Sequence, residues 1–205
     1  MIDYAQFLEQ KTRAAEQVGV EVEPSAVHPM LFDFQRNAVV WAARTGRCGL
    51  FWDCGMGKTI MQLMWGQHAG RRVLDIAPLG VTRQPVREGE RWGIPATYAR
   101  SQDQAASEGI TITNYEMAGH FDPDYFDAVI LDESSVLKGL TSTTRKKLGE
   151  MFADTPMRLC CTASPAPNDI AEIANHAEFL GIMSRAEMLA AFFVHDDAGW
   201  RLKRH

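Results

Sequence analysis

Residues 49–63 constrain this chain more than any other stretch. Gly49-Leu50-Phe51-Trp52 is an apolar run of the kind that makes a short buried strand. Gly55 and Gly57 flank Met56, Lys58 and Thr59 follow, and a mostly apolar stretch from Ile60 to Trp65 can begin a helix. Strand, glycine turn, Lys-Thr and helix make up the layout of a phosphate-binding loop. Glycines let backbone N–H groups turn toward a phosphate without interference from Cβ. The first helical turn adds unpaired N–H groups and a positive dipole end. In that reading Gly55, Met56 and Gly57 cradle phosphate, Lys58 reaches the outer phosphates and the Thr59 hydroxyl holds Mg²⁺. The full pattern also asks for a glycine where Trp52 stands. The bland alternative is a glycine turn that caps a core helix and leaves a solvated lysine.

A second stretch bears on the choice. Ala128 to Leu131 is a continuous apolar run, as a parallel strand buried on both faces requires. It ends in Asp132-Glu133-Ser134-Ser135. Adjacent carboxylates at the end of a buried strand are costly unless a cation sits beside them. Mg²⁺ carried by a nucleotide would supply that charge, with Asp132 holding the metal and Glu133 orienting or deprotonating an attacking water. Two surface acids at a strand end are the alternative.

The remaining elements are read by pattern. A capping-box spacing at Asp3 and Gln6 starts an amphipathic helix over 3–18, and residues 19–30 form a connector. Leu31 to Arg44 has helix composition. Gln35, near its start, carries a donor and an acceptor together, which suits an adenine edge. Strands are expected over 72–77, 96–99, 110–113 and 158–162, with a polar helix or loop over 101–109. Thr82 is a candidate cap for a helix to Trp92. Arg83, Arg87 and Arg91 share a face of that helix, able either to follow a nucleic-acid backbone or to pair with Glu88 and Glu90. Lys138 to Lys147 suits a loop and helix with a basic outer face that meets either phosphates or only water, water being favoured. The polar loop over 163–169 is placed either to sense a γ-phosphate or simply to turn into a helix at Asn168 or Asp169. Ser184 and Glu187 cap a last helix through Val194, and His195–His205 is a polar tail.

Length and charge limit the classes. The chain has 205 residues, room for one large domain. A net charge of −5 is not that of an autonomous nucleic-acid binder, so any such grip is local or shared. No apolar run has transmembrane length, no signal peptide stands at the start, and no membrane association is expected. The four cysteines have no Cys-x-x-Cys spacing and read as reduced thiols of a cytoplasmic protein.

Taken together, the residues from about Leu31 to Gly181 resemble the first motor lobe of a superfamily 2 helicase of DEAD/DEAH type, closest to the Swi/Snf-type branch and its phage relatives. Gln35 is similar to the adenine-reading glutamine, and Asp53-Cys54-Gly55-Met56-Gly57-Lys58-Thr59 to motif I, in which the leading glycine is not required. Ala77-Pro78-Leu79 resembles motif Ia, Thr113 to Glu116 motif Ib, Asp132 to Ser135 motif II, and Thr162 to Asn168 motif III. Ser135 departs from the family's usual His or Asp, which puts the coupling of motif II to motif III in question. The resemblance implies a three-layer α/β fold, a RecA-like P-loop NTPase domain with a mainly parallel central sheet. It divides the chain into 1–30 (helix and connector), 31–181 (ATP-binding lobe) and 182–205 (helix and tail). It implies ATP and Mg²⁺ as cofactors, nucleic acid as partner with DNA ahead of RNA, and a second RecA-like lobe, in this chain or another, that lends arginines for hydrolysis. Hydrolysis by this chain alone would then be weak. Two alternatives from other classes are a non-hydrolysing interaction module on the same fold and a phosphate-loop kinase.

Overall fold

A computed structural model describes residues 17–138, 142–196 and 199–203. The helix expected over 3–18 lies almost wholly outside them.

The apolar runs become six strands of one sheet: β1 (Arg47–Phe51), β2 (Arg72–Ala77), β3 (Ala96–Tyr98), β4 (Gly109–Asn114), β5 (Ala128–Asp132) and β6 (Met157–Thr162). Their order is β1-β6-β5-β2-β4-β3, and every pairing is parallel. Central position explains the sequence of β5: its first four residues are fully buried, so both faces must be apolar.

Helices cover both faces. The main ones are α1 (Asp33–Thr45), α2 (Lys58–Ala69), α3 (Arg83–Trp92), α4 (Ser142–Met151), α5 (Ile173–Phe179) and α6 (Arg185–Phe192). Period-2 alternation splits the core in two. Val73, Ile112, Ile130 and Leu159 face α1 and α2, where Met61, Leu63 and Trp65 meet them. Leu74, Ile76, Val129, Leu131 and Cys160 face the other way, toward Leu148 of α4, Phe152 just past its end and Phe179 of α5. Each of these large side chains contributes about 1.5–3 kcal/mol on burial. The result is the three-layer α/β arrangement with a parallel sheet.

Two local expectations are corrected. Thr82 precedes α3 but caps nothing. Its backbone is already helical, and its hydroxyl donates to the Leu79 carbonyl. The last helix ends at Phe192, short of Val194, and part of the expected polar tail is a hairpin, β7 (Phe193–Asp196) paired antiparallel with β8 (Gly199–Leu202). Phe193 is buried with Ala171, Ala174 and Leu189, and Trp200 packs against them, so the segment has an apolar side after all. The capping box of α6 is present, with Ser184 accepting from the Glu187 N–H.

One consequence of the strand order positions the site. The chain leaves β1 through α2, crosses to β2, and returns later to fill the gap with β5 and β6. In register, Phe51 lies beside Thr162 and Asp132 beside Cys161. The carboxyl ends of β1, β6 and β5 therefore stop level, and the segments after them share one rim. Open parallel sheets bind ligands at such a rim.

Candidate nucleotide site

The loop after β1 is shaped by its glycines. Gly55 and Gly57 have φ of 83° and 80°, left-handed values that cost other residues about 1–2 kcal/mol. Gly57 is the last residue before α2, so the α2 N-terminus opens directly onto the loop. Lys58 Nζ donates to the carbonyls of Trp52 at 2.8 Å and Asp53 at 3.2 Å.

Gln35 is 8 % exposed and ties α1 to this loop. Its Oε1 accepts the Phe32 N–H at 3.0 Å, and its Nε2 donates to the Met56 carbonyl at 3.0 Å. A Cβ on Gly57 would stand 2.4 Å from that Nε2, so only glycine leaves the amide room.

The loop and the end of β5 line one cleft of about 500 Å³. Cys54, Gly55, Gly57, Lys58 and Thr59 form one wall, and Asp132 and Glu133 the other. Six sequence-selected residues, Gly55, Gly57, Lys58, Thr59, Asp132 and Glu133, are thus brought together. Met56 sits in the loop, joined to Gln35 through its carbonyl. The cleft has a third side, Pro78 of the stretch resembling motif Ia with Val81, Gln84 and Glu88, of which sequence reading did not place the last three at the site. Gln84 Nε2 donates to Thr59 Oγ1 at 3.4 Å. Glu88 accepts from Trp92 Nε1 rather than from the arginine stripe.

Burial holds the Asp132 carboxyl above the usual range, opposed by the Gln62 amide, the Glu133 N–H and the Lys58 charge. Glu133 has a φ of 50° and is the sole non-glycine with positive φ among the described residues. That bend costs about 1–3 kcal/mol and must be held by neighbours. They are visible: the Glu133 N–H donates to Asp132 Oδ1 at 2.9 Å, and Glu133 Oε1 accepts from Thr162 Oγ1 at 2.6 Å and Ser135 Oγ at 2.8 Å. Ser135 and the last residue of β6 thus meet on one carboxylate oxygen.

Beneath the rim lies a carboxyl that sequence reading passed over. Asp75 is fully buried in β2, and neither of its oxygens has a hydrogen-bond partner among the described residues. Burial first, then the charge of Asp132, push its pKa well above the carboxylate range. Tyr115, half-buried, donates its hydroxyl to the Asp132 carbonyl at 2.9 Å, linking the end of β4 to the end of β5. An acid flanked by Leu74 and Ile76 in a predicted strand was the signal available for Asp75.

Beside the cleft, Arg83 and Arg87 line a second hollow of about 530 Å³ with Leu79, Thr82 and Tyr98. No helix among the described residues is long and apolar enough to cross a membrane.

A parallel sheet with a glycine loop, a lysine and a bent acid pair on one rim defines a RecA-like lobe of the P-loop class. No family model matches the sequence, and no curated protein matches it. Solved structures do. The SWI2/SNF2 ATPase core of Sulfolobus solfataricus, solved in complex with dsDNA, is similar with a TM-score of 0.68 at 17 % identity, covering 84 % of this chain and 41 % of that one. The UvsW helicase of bacteriophage T4 gives 0.60 at 13 % identity, over 89 % of this chain and 66 % of that one. The Hef helicase domain of Pyrococcus furiosus gives 0.58 at 17 % identity, over 72 % and 36 %. The fold is that shared by these helicase and ATPase domains. The chain spans less than two thirds of the length of each of these structures.

Proposed function

We propose that this chain is the ATP-binding motor lobe of a nucleic-acid-dependent ATPase, a DNA helicase or translocase. The observation that carries the reading is the convergence of Lys58, Thr59, Asp132 and Glu133 on one cleft.

The residues present fit a Mg²⁺-bound triphosphate. The left-handed glycines free main-chain N–H groups for phosphate oxygens, and the α2 N-terminus adds to them. The Asp132 carboxylate, half-buried at the end of β5, calls for a cation beside it. Among the described residues no cluster of three or more His, Cys, Asp or Glu could hold a metal by itself, so phosphate oxygens would complete the shell that Thr59 and Asp132 begin. When bound, Mg²⁺ neutralises charge on the outer phosphates. Lys58 exchanges its two carbonyl partners for phosphate oxygen. Glu133, held by Thr162 and Ser135, orients the attacking water. Gln35 keeps one amide N–H and one Oε1 lone pair beyond those its protein partners use, which is what an adenine edge needs.

Arg83 and Arg87, beside Tyr98, offer phosphate contacts to a strand running past the cleft. DNA is preferred because the SWI2/SNF2 core resembling this fold was solved with dsDNA. Full turnover needs arginines from a second RecA-like lobe, worth roughly 10³–10⁵ in rate.

Titration of the chain with a fluorescent ATP analogue and Mg²⁺ tests this reading. Lys58→Ala removes a charge-assisted contact and weakens binding about 10–100-fold. Unchanged affinity in that variant would refute the assignment. So would brisk DNA-stimulated hydrolysis by the chain alone, for the dependence on a second lobe.

A further inference from the structure

His176 is buried, titratable and unused by the cleft chemistry. It sits on α5, after the loop that follows β6, and is 3 % exposed. Its Nε2 lies 3.0 Å from Ser134 Oγ. Its ring meets the Phe51 ring edge-on, with centroids 5.2 Å apart and planes at 73°. Phe51 is the last residue of β1, and Ser134 directly follows Glu133. One side chain therefore touches the entry to the glycine loop and the exit from the acid pair.

The bend at Glu133 gives that contact a purpose. In a continuing strand, the residue after Asp132 would extend away with its neighbours. Here φ of 50° turns the chain into the short 3-10 helix Ser134–Lys138, and the Val136 N–H donates to the Glu133 carbonyl. Ser134 is fully buried, so the first residue of the turn is pinned inside while Glu133 stays at the cleft. The partners of Glu133 on its own side, Thr162 and Ser135, hold the carboxylate but not the backbone that follows it.

We propose that His176 is a positioning residue for Glu133: through Ser134 it locks the left-handed turn that aims the carboxylate into the cleft, and through Phe51 it sets that turn against the glycine loop. The inference rests on the nucleotide reading for its consequence, not for its geometry. A neutral imidazole suits both tasks at once, because it offers a ring nitrogen to the hydroxyl and an aromatic surface to Phe51. Leucine would fill the space and lose the hydrogen bond. Glutamine would return a polar atom at similar reach.

Two measurements on the full chain decide it. In crystal structures, His176→Leu is expected to release Glu133 from positive φ and from Thr162 and Ser135, while His176→Gln keeps the native turn. In single-turnover ATP hydrolysis, His176→Leu is expected to lower the rate about 10–100-fold, the usual range for supporting residues behind a reacting group. Its Mg²⁺–ATP affinity should stay within about twofold, and His176→Gln should recover most of the rate. A folded His176→Leu protein with Glu133 still bent and still bonded overturns the proposal. So does an equal fall in affinity and rate. If the wild-type chain neither binds nor hydrolyses ATP, the proposed function fails and the crystallographic comparison still decides the role of His176. If His176→Leu does not fold, Ser134→Ala takes its place with the same expected release.

Discussion

Single residues set the site, and glycine gives the cleanest case. Gly57 combines a left-handed backbone with an approach to Gln35 that leaves no space for Cβ. Gly57→Ala should cost about 1–2 kcal/mol of backbone strain and push the Gln35 amide off the Met56 carbonyl. The expected outcome is a lower melting temperature together with weaker nucleotide binding, read by calorimetry and by ATP-analogue titration. Much at this scale was legible beforehand, since Gly-x-Gly-Lys-Thr and Asp-Glu carry their chemistry in residue type and order. What was not legible came from across the fold. Gln84, Thr162 and His176 become neighbours of the acid pair and the loop only when the strands align, and no local spacing announces that.

Elements followed the same division. Strands rich in Val, Ile and Leu were readable because central burial leaves no polar face, and β2 has the bounds expected of it. The hairpin β7–β8 was hidden, because its apolar side faces a small cluster rather than the main core. An element-level brace was hidden too. Arg158, the second residue of β6, is 4 % exposed and donates to the carbonyls of Thr155, Phe179 and Ala153. Burial lowers its pKa to about 10, still high enough to keep it charged at neutral pH. It fastens the C-terminal end of α5 to the start of β6. Arg158→Met would keep the volume and orphan those carbonyls, at about 1–3 kcal/mol for each one left unpaired. Urea denaturation should show the loss, while nucleotide affinity in the folded fraction stays near wild type.

Across the whole molecule, buried titratable groups pull stability in opposite directions with pH. Burial lowers the His176 pKa from 6.5 to about 4, opposed by the carbonyl and charge of Glu172. Folding therefore releases its proton at intermediate pH. Its share of stability is complete above about 6.5 and drains away as pH falls toward 4, by up to about 3 kcal/mol. Asp75 and Asp132 have raised values and take up protons on folding, so their share is present at low pH and lost as pH rises. Those two remain in His176→Gln, so comparison with wild type isolates the imidazole. Denaturation at pH 4.5 and 7.5 should show a smaller loss on acidification in the variant, and equal losses would contradict the assignment.

All six strands of the sheet point one way, which gives the molecule a working pole and a mooring pole. The loops at the strand ends hold the ammonium, the hydroxyl and the bent acid. Fifteen to twenty ångströms away, at about 3.3 Å per residue along a strand, the beginnings hold ties such as Arg47 to the Pro156 carbonyl and Asp127 to the amides of Arg71 and Arg72. Heat tolerance can therefore be raised or lowered at the moorings without reshaping the cleft, and changes at the working pole can reshape the cleft with little effect on how firmly the chain is tied down.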